Sequence, residues 1–116
     1  MQVDQFDNLN AALRYVDSES IIFNDNVYKF PLLIVMDKIY QIDSKSIDAS
    51  FIKSKMGDIK TLLIASDAKS ISELNALLKW PLEQYKIGSD IMSLRAMLKT
   101  YMILLNEGRE FSVLML

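Results

Sequence analysis

Two residue types that carry much of enzyme chemistry are missing from this sequence: it has no cysteine and no histidine. Disulfides and thiolate nucleophiles are therefore excluded, as are Ser-His-Asp and Cys-His catalysis and the standard zinc sites. No metal and no cofactor is expected. A cysteine-free chain suits a reducing compartment, so the expected location is cytoplasmic. Glycine is scarce as well: Gly57, Gly88 and Gly108 stand too far apart for a phosphate-cradling loop or a dinucleotide fingerprint. Nor is there a surplus of positive charge. Thirteen Lys and Arg against fifteen Asp and Glu leave a formal net charge of −2, so nucleic acid is not an expected partner. Long apolar runs are absent too: 30–36 and 101–105 fall well short of the ~18 residues of a membrane-spanning helix. The first residues lack the basic region of a secretory signal.

What is present is an apolar-rich chain. Hydrophobic residues make up 51% of 116, enough for a packed core in one domain, 1–116, with 1–12 as a loosely ordered lead-in. Within 1–20, Phe6, Leu9, Leu13 and Val16 recur at helical spacing, with a short strand at Leu13–Val16 as the alternative. Ser20–Phe23 and Val27–Phe30 flank Asn24-Asp25-Asn26 and predict a β-hairpin. Leu32–Val35 and Thr61–Ala65 are continuous apolar runs, the mark of strands covered on both faces. A short extended piece is expected near Ile39–Ile42. Ser46 is the expected cap of a short helix ending before Gly57, and Ser70 with Glu73 forms a capping box for a second. Pro81 is expected to discourage that second helix from continuing.

The last third predicts a strand in Tyr85–Met92, a helix capped by Ser93, a glycine stop and a final strand. Leu94, Met97, Leu98, Tyr101, Leu104 and Leu105 make one apolar stripe. Gly108 is placed as the residue after the helix, and the closing run from Phe111 is apolar on both faces, as an interior strand requires. A strand, a helix and a strand before this also suggest a βαβ unit.

In this same stretch, Asp90-Ile-Met92, Thr100-Tyr101, Leu104 and Glu107-Gly108-Arg109 with an apolar tail resemble the end of a small domain family. That family contains mitochondrial respiratory complex I (NADH dehydrogenase) assembly factor 3 and the adipogenesis-associated methanogen-type domain protein. The resemblance implies an α/β fold of three layers, a mixed central β-sheet flanked by helices, and it favours Leu13–Val16 as a strand. It implies an assembly or interaction role, with no enzymatic activity to carry over. The chain departs from the family pattern in having Ala65-Ser66-Asp67 where glycines are usual, and Met102 in place of an asparagine.

The candidate binding residues are Ser66, Asp67, Asp90 and Arg109; Thr100, Tyr101, Glu107 and Gly108 belong to the structural motif. Ser66-Asp67 lies at the carboxyl end of a strand, where α/β sheets place ligand crevices, although a turn and helix approach built of ordinary turn residues is the favoured reading. Asp90 is expected at another strand end, to hold a ligand hydroxyl or pair with a cation. Arg109 offers a planar fork to a partner carboxylate, or pairs with Glu107. Three readings follow: a non-enzymatic assembly or interaction factor with a protein partner; a small-ligand module or weak enzyme at the crevice of Ser66, Asp67 and Asp90; and self-association. The expected assembly state is a monomer or weak homo-oligomer.

Overall fold

The computed structural model describes residues 13–116. The helical and lead-in readings of 1–12 lie outside the described residues. From Leu13 the chain is extended: β1 (Leu13–Asp17), β2 (Ser20–Phe23) and β3 (Asn26–Lys29) form a three-stranded antiparallel sheet. The β2–β3 loop is only two residues long, because Phe23 pairs with Asn26. Asn24 and Asp25 take φ +50° and +69°, the left-handed pair that matches the twist of the flanking strands. The β1–β2 turn is closed by Asp17, whose Oδ1 accepts from the Glu19 N–H and the Ser20 hydroxyl, each at 2.8 Å. Those two bonds hold its carboxyl below the usual aspartate range.

A second, five-stranded sheet has the order β5-β4-β8-β6-β7. Its strands are β4 (Leu32–Val35), β5 (Lys38–Gln41), β6 (Thr61–Ala65), β7 (Gly88–Met92) and β8 (Ser112–Met115). β4 runs antiparallel to β5 and β8, whereas β6 is parallel to β7 and β8, so the sheet is mixed. Every residue of β4 and β8 is buried, as expected for strands covered on both faces. β8 sits between β4 and β6, so the interior position expected for the last strand holds. β7 is shorter than the run from Tyr85 suggested. Tyr85 and Lys86 donate back to Leu82 and Glu83 and finish the preceding helical turn instead.

The helices are α1 (Ala49–Met56), α2 (Ile71–Leu74), α3 (Trp80–Glu83) and α4 (Leu94–Asn106). α1 is capped by Asp48, whose side chain accepts from Phe51 N at 2.8 Å, and not by Ser46, which lies in a 3-10 turn at Ser44–Ser46. The later start puts Ala49, Ile52 and Met56 on the buried stripe. Ser70 and Glu73 make the expected capping box on α2. Pro81 does not end that helix. Asn75–Lys79 form a π turn, in which Trp80 N–H donates to the Asn75 carbonyl, and α3 follows with proline in its first turn. Proline there costs little, since a first-turn N–H needs no helical partner, and the wider π turn spares the clash of its ring with the fourth carbonyl back.

The helices cover opposite faces of the five-stranded sheet. Leu33, Leu62, Ile64 and Leu114 pack against Ala49, Ile52, Leu74, Leu78 and Leu82 of the α1–α3 side. On the other face Ile34, Leu63, Val113 and Met115 pack against Leu94, Met97, Tyr101 and Leu104 of α4, joined by Leu13, Ile21 and Phe23 of the small sheet. This is an α/β fold with a mixed central sheet flanked by helices. The opposite placement follows from chirality. The chain crosses from β6 to β7 through α2 and α3, and from β7 back past β6 to β8 through α4. Right-handed crossovers in opposite directions put their helices on opposite faces.

Candidate functional site

Helix α4 has two ends, and the expected site residues divide between them. At its start Ser93 has extended backbone and accepts from Ala96 N at 3.2 Å. Asp67, from the loop after β6, accepts from Leu94 N at 3.0 Å. Ser66 is the turn before it: its hydroxyl accepts from Ala68 N and Lys69 N at 3.2 and 3.0 Å. Its N–H donates to Met92 at 3.1 Å, zipping β6 onto β7. This is the place where connections leave adjacent parallel strands for opposite faces, the usual position of a ligand crevice. Here the chain's own carboxylate already occupies it, since an acid at a helix N-terminus meets both the unpaired N–H groups and the positive end of the helix dipole.

Asp90 is not at a strand end. It lies in the middle of β7, exposed at the sheet edge, in register with Leu63. Leu63 is in turn in register with Val113, so Asp90 stands two strands, about 10 Å, from the centre of the sheet. Arg109 lies beyond the opposite end of α4, and a 13-residue helix is about 20 Å long. Arg109 therefore stands apart from Ser66 and Asp67, while Asp90 is level with Leu63, three residues before Ser66 along the neighbouring strand; Ser66 and Asp67 themselves serve the junction between β6 and α4.

The C-terminal end of α4 is built as the motif Glu107-Gly108-Arg109 suggests. Gly108 has φ +69°, its N–H donates to Leu105, and Arg109 N–H donates to Leu104. These paired bonds satisfy the last carbonyls, and the left-handed residue between them is one where glycine avoids a Cβ penalty. The Arg109 side chain reaches Glu107 at 3.5 Å, with both groups more than half exposed. Such a pair adds little stability. Within the helix Thr100 donates to the Ala96 carbonyl at 3.0 Å. Tyr101 is 5% exposed and meets Phe111 edge to face, with ring centroids 5.3 Å apart. Its hydroxyl has no hydrogen-bond partner among the described residues. Burial pushes its pKa up to about 12.

Beside this end a cleft of about 370 Å³ opens between α4 and the β4–β5 hairpin. Ile34 and Val113, register partners on the α4 face of the sheet, line it with Phe111, while Tyr101 and Leu105 line it from the helix. Met36, Asp37 and Arg109 complete the lining. The walls are almost wholly apolar and the charged groups are the exposed Asp37 and Arg109. Its volume lies at the lower end of the ~300–1,000 Å³ typical of ligand sites. Arg109 alone of the expected binding residues belongs to it. Met36 and Asp37 carried no signal in the sequence. They form a two-residue hairpin loop, since Val35 pairs with Lys38. Met36 has φ +58° and is 48% exposed, in a position that usually falls to glycine. Elsewhere, Ser89 and Ser112 bury hydroxyls without partners among the described residues, but both are in register with Leu62, on the face away from the cleft. Among the described residues no cluster of acids could hold a metal ion.

No family model and no curated protein matches the chain. Solved structures do. An outer membrane protein from Bartonella henselae is 25% identical, with 90% of this chain and 92% of that chain covered and a TM-score of 0.68. A Bordetella parapertussis protein, 20% identical, matches over 90% of this chain and 93% of its own with a TM-score of 0.70. A Xanthomonas campestris protein solved by NMR is 16% identical over 88% and 80%, with a TM-score of 0.65. The last two likenesses concern the fold alone.

Proposed function

We propose that this chain is a non-enzymatic protein-interaction module, whose partner seats an apolar side chain in the cleft beside the C-terminal end of α4. The observation that carries this reading is the cleft itself: an apolar recess open to solvent, with an exposed methionine at its lip held in a backbone conformation that methionine disfavours. Residues held in sparsely populated backbone regions cluster at ligand clamps and binding sites. Site-specific photo-crosslinking in cells tests it. A crosslinker placed at Met36 is expected to trap a defined protein adduct, while one at Lys79, on the far side of the sheet, gives none. Equal trapping at both positions overturns the assignment to the cleft.

The resemblance of the C-terminal stretch suggests the setting, assembly of respiratory complex I, with the chain acting in the cytoplasm as an assembly factor. Deleting the gene is then expected to lower the amount of assembled NADH dehydrogenase, and a normal amount sinks that role. No helix of the described residues is long and apolar enough to cross a membrane. Cell fractionation tests the location: recovery in an outer membrane fraction, as the name of the Bartonella protein would suggest, overturns it.

A further inference from the structure

We infer that the partner segment carries its apolar anchor between two opposite charges, a carboxylate that pairs with Arg109 and a cation that pairs with Asp37. This rests on the reading of the cleft as a protein-interaction site and adds to it the chemistry of the partner. The two charged groups of the lining have opposite sign, Asp37 on the hairpin loop and Arg109 beyond α4. Neither is committed to the fold. Arg109 meets Glu107 only at 3.5 Å in water, a contact a partner carboxylate can replace at small cost with the planar fork of the guanidinium. Asp37 has no ion pair among the described residues, and Arg109 and Asp37 do not pair with each other.

The sign pattern decides the kind of occupant. A small apolar acid would gain from Arg109 and lose to Asp37, and a small apolar amine the reverse. A polypeptide segment with an acid and a base on either side of an aliphatic or aromatic residue gains from both, and opposite charges fix its direction in the cleft. The apolar walls supply the affinity: Tyr101, Phe111 and Leu105 offer a largely prebuilt pocket, and Met36 offers a flexible lip that adapts to the anchor.

Panning a phage-displayed random dodecapeptide library against the full chain tests this. The expected consensus is an apolar residue flanked by Asp or Glu on one side and Lys or Arg on the other. Synthetic peptides of that consensus are expected to lose about tenfold in affinity against R109E and against D37K, both exposed positions. A peptide with its two charges exchanged should regain affinity for the double variant. M36G is expected to weaken all of the peptides while leaving Tm unchanged or raised, since glycine accepts the positive φ. Peptides weakened by M36G but indifferent to both charge changes overturn the inference and leave the interaction cleft standing. Failure of any peptide to enrich, with decanoate binding at the cleft by NMR, overturns both in favour of a small amphiphile.

Discussion

The two ends of helix α4 are made of similar materials and do opposite things. At the start, Ser93, Ser66 and Asp67 each spend a side-chain oxygen on the fold, accepting from Ala96, Leu94 and the loop amides. At the finish, the Gly108 turn satisfies the helix carbonyls with backbone alone, and the side chains around it, Arg109 and the apolar wall of Tyr101, Leu105 and Phe111, remain available. Polar residues at the carboxyl ends of parallel strands are thus poor evidence of a site when the adjacent helix needs a cap. The difference lies in which groups the backbone has already consumed.

The sharpest way to break this contrast is to remove a wall of the open end. Phe111→Ala deletes a buried ring that packs on Tyr101 and should destabilise the protein by about 3 kcal/mol in urea unfolding. A loss below about 1 kcal/mol would mean that the wall is not part of the core. Next is the alkaline limit. Tyr101 has its pKa raised by burial from 10.0 to about 12, so both folded and unfolded states are neutral below pH 10 and its contribution is intact there. As pH rises from 10 towards 12 the unfolded chain ionises first. Stability should fall across that window by up to about 2 kcal/mol, and Tyr101→Phe should abolish that fall.

At the closed end, Asp67→Ala removes the acceptor for Leu94 N–H and an acid from the helix N-terminus. It should cost about 1–2 kcal/mol, measured by thermal or urea unfolding, with no change in the binding of cleft-selected peptides. Unchanged stability with lost binding would reverse the assignment of the two ends. The smallest effect is expected from Arg109→Ala, within about 0.5 kcal/mol in stability, because its pair with Glu107 is exposed. A large loss there would make Arg109 a structural residue and weaken its place in the cleft.

Much of the architecture was legible in local patterns. The runs Leu32–Val35 and Thr61–Ala65, the stripe on α4, the Ser70 and Ser93 caps and the Gly108 stop each rest on interactions between residues near in sequence. Two boundaries were not. The cap of α1 moved from Ser46 to Asp48 because both residues can cap, and only packing of Ile52 and Met56 chooses between them. The run through Pro81 stayed helical because a π turn absorbed the proline, aided by the burial of Leu78 and Leu82. The candidate site fared worse. Of four expected binding residues, Arg109 lines the cleft; Ser66 and Asp67 hold the fold together, and Asp90 stands on the sheet edge.

The amino-acid sequence by itself determined what chemistry this protein lacks, the positions of the buried strands Leu32–Val35 and Thr61–Ala65, and the two ends of α4 at Ser93 and Gly108. Those are properties of composition and of neighbours a few residues apart. Tertiary structure alone decided that β8 inserts between β4 and β6. It alone brought Met36 and Asp37, some 70 residues before Arg109, to the mouth of one cleft. No local pattern encodes that meeting, because it depends on the register of β4 against β8 and on how far α4 extends over both.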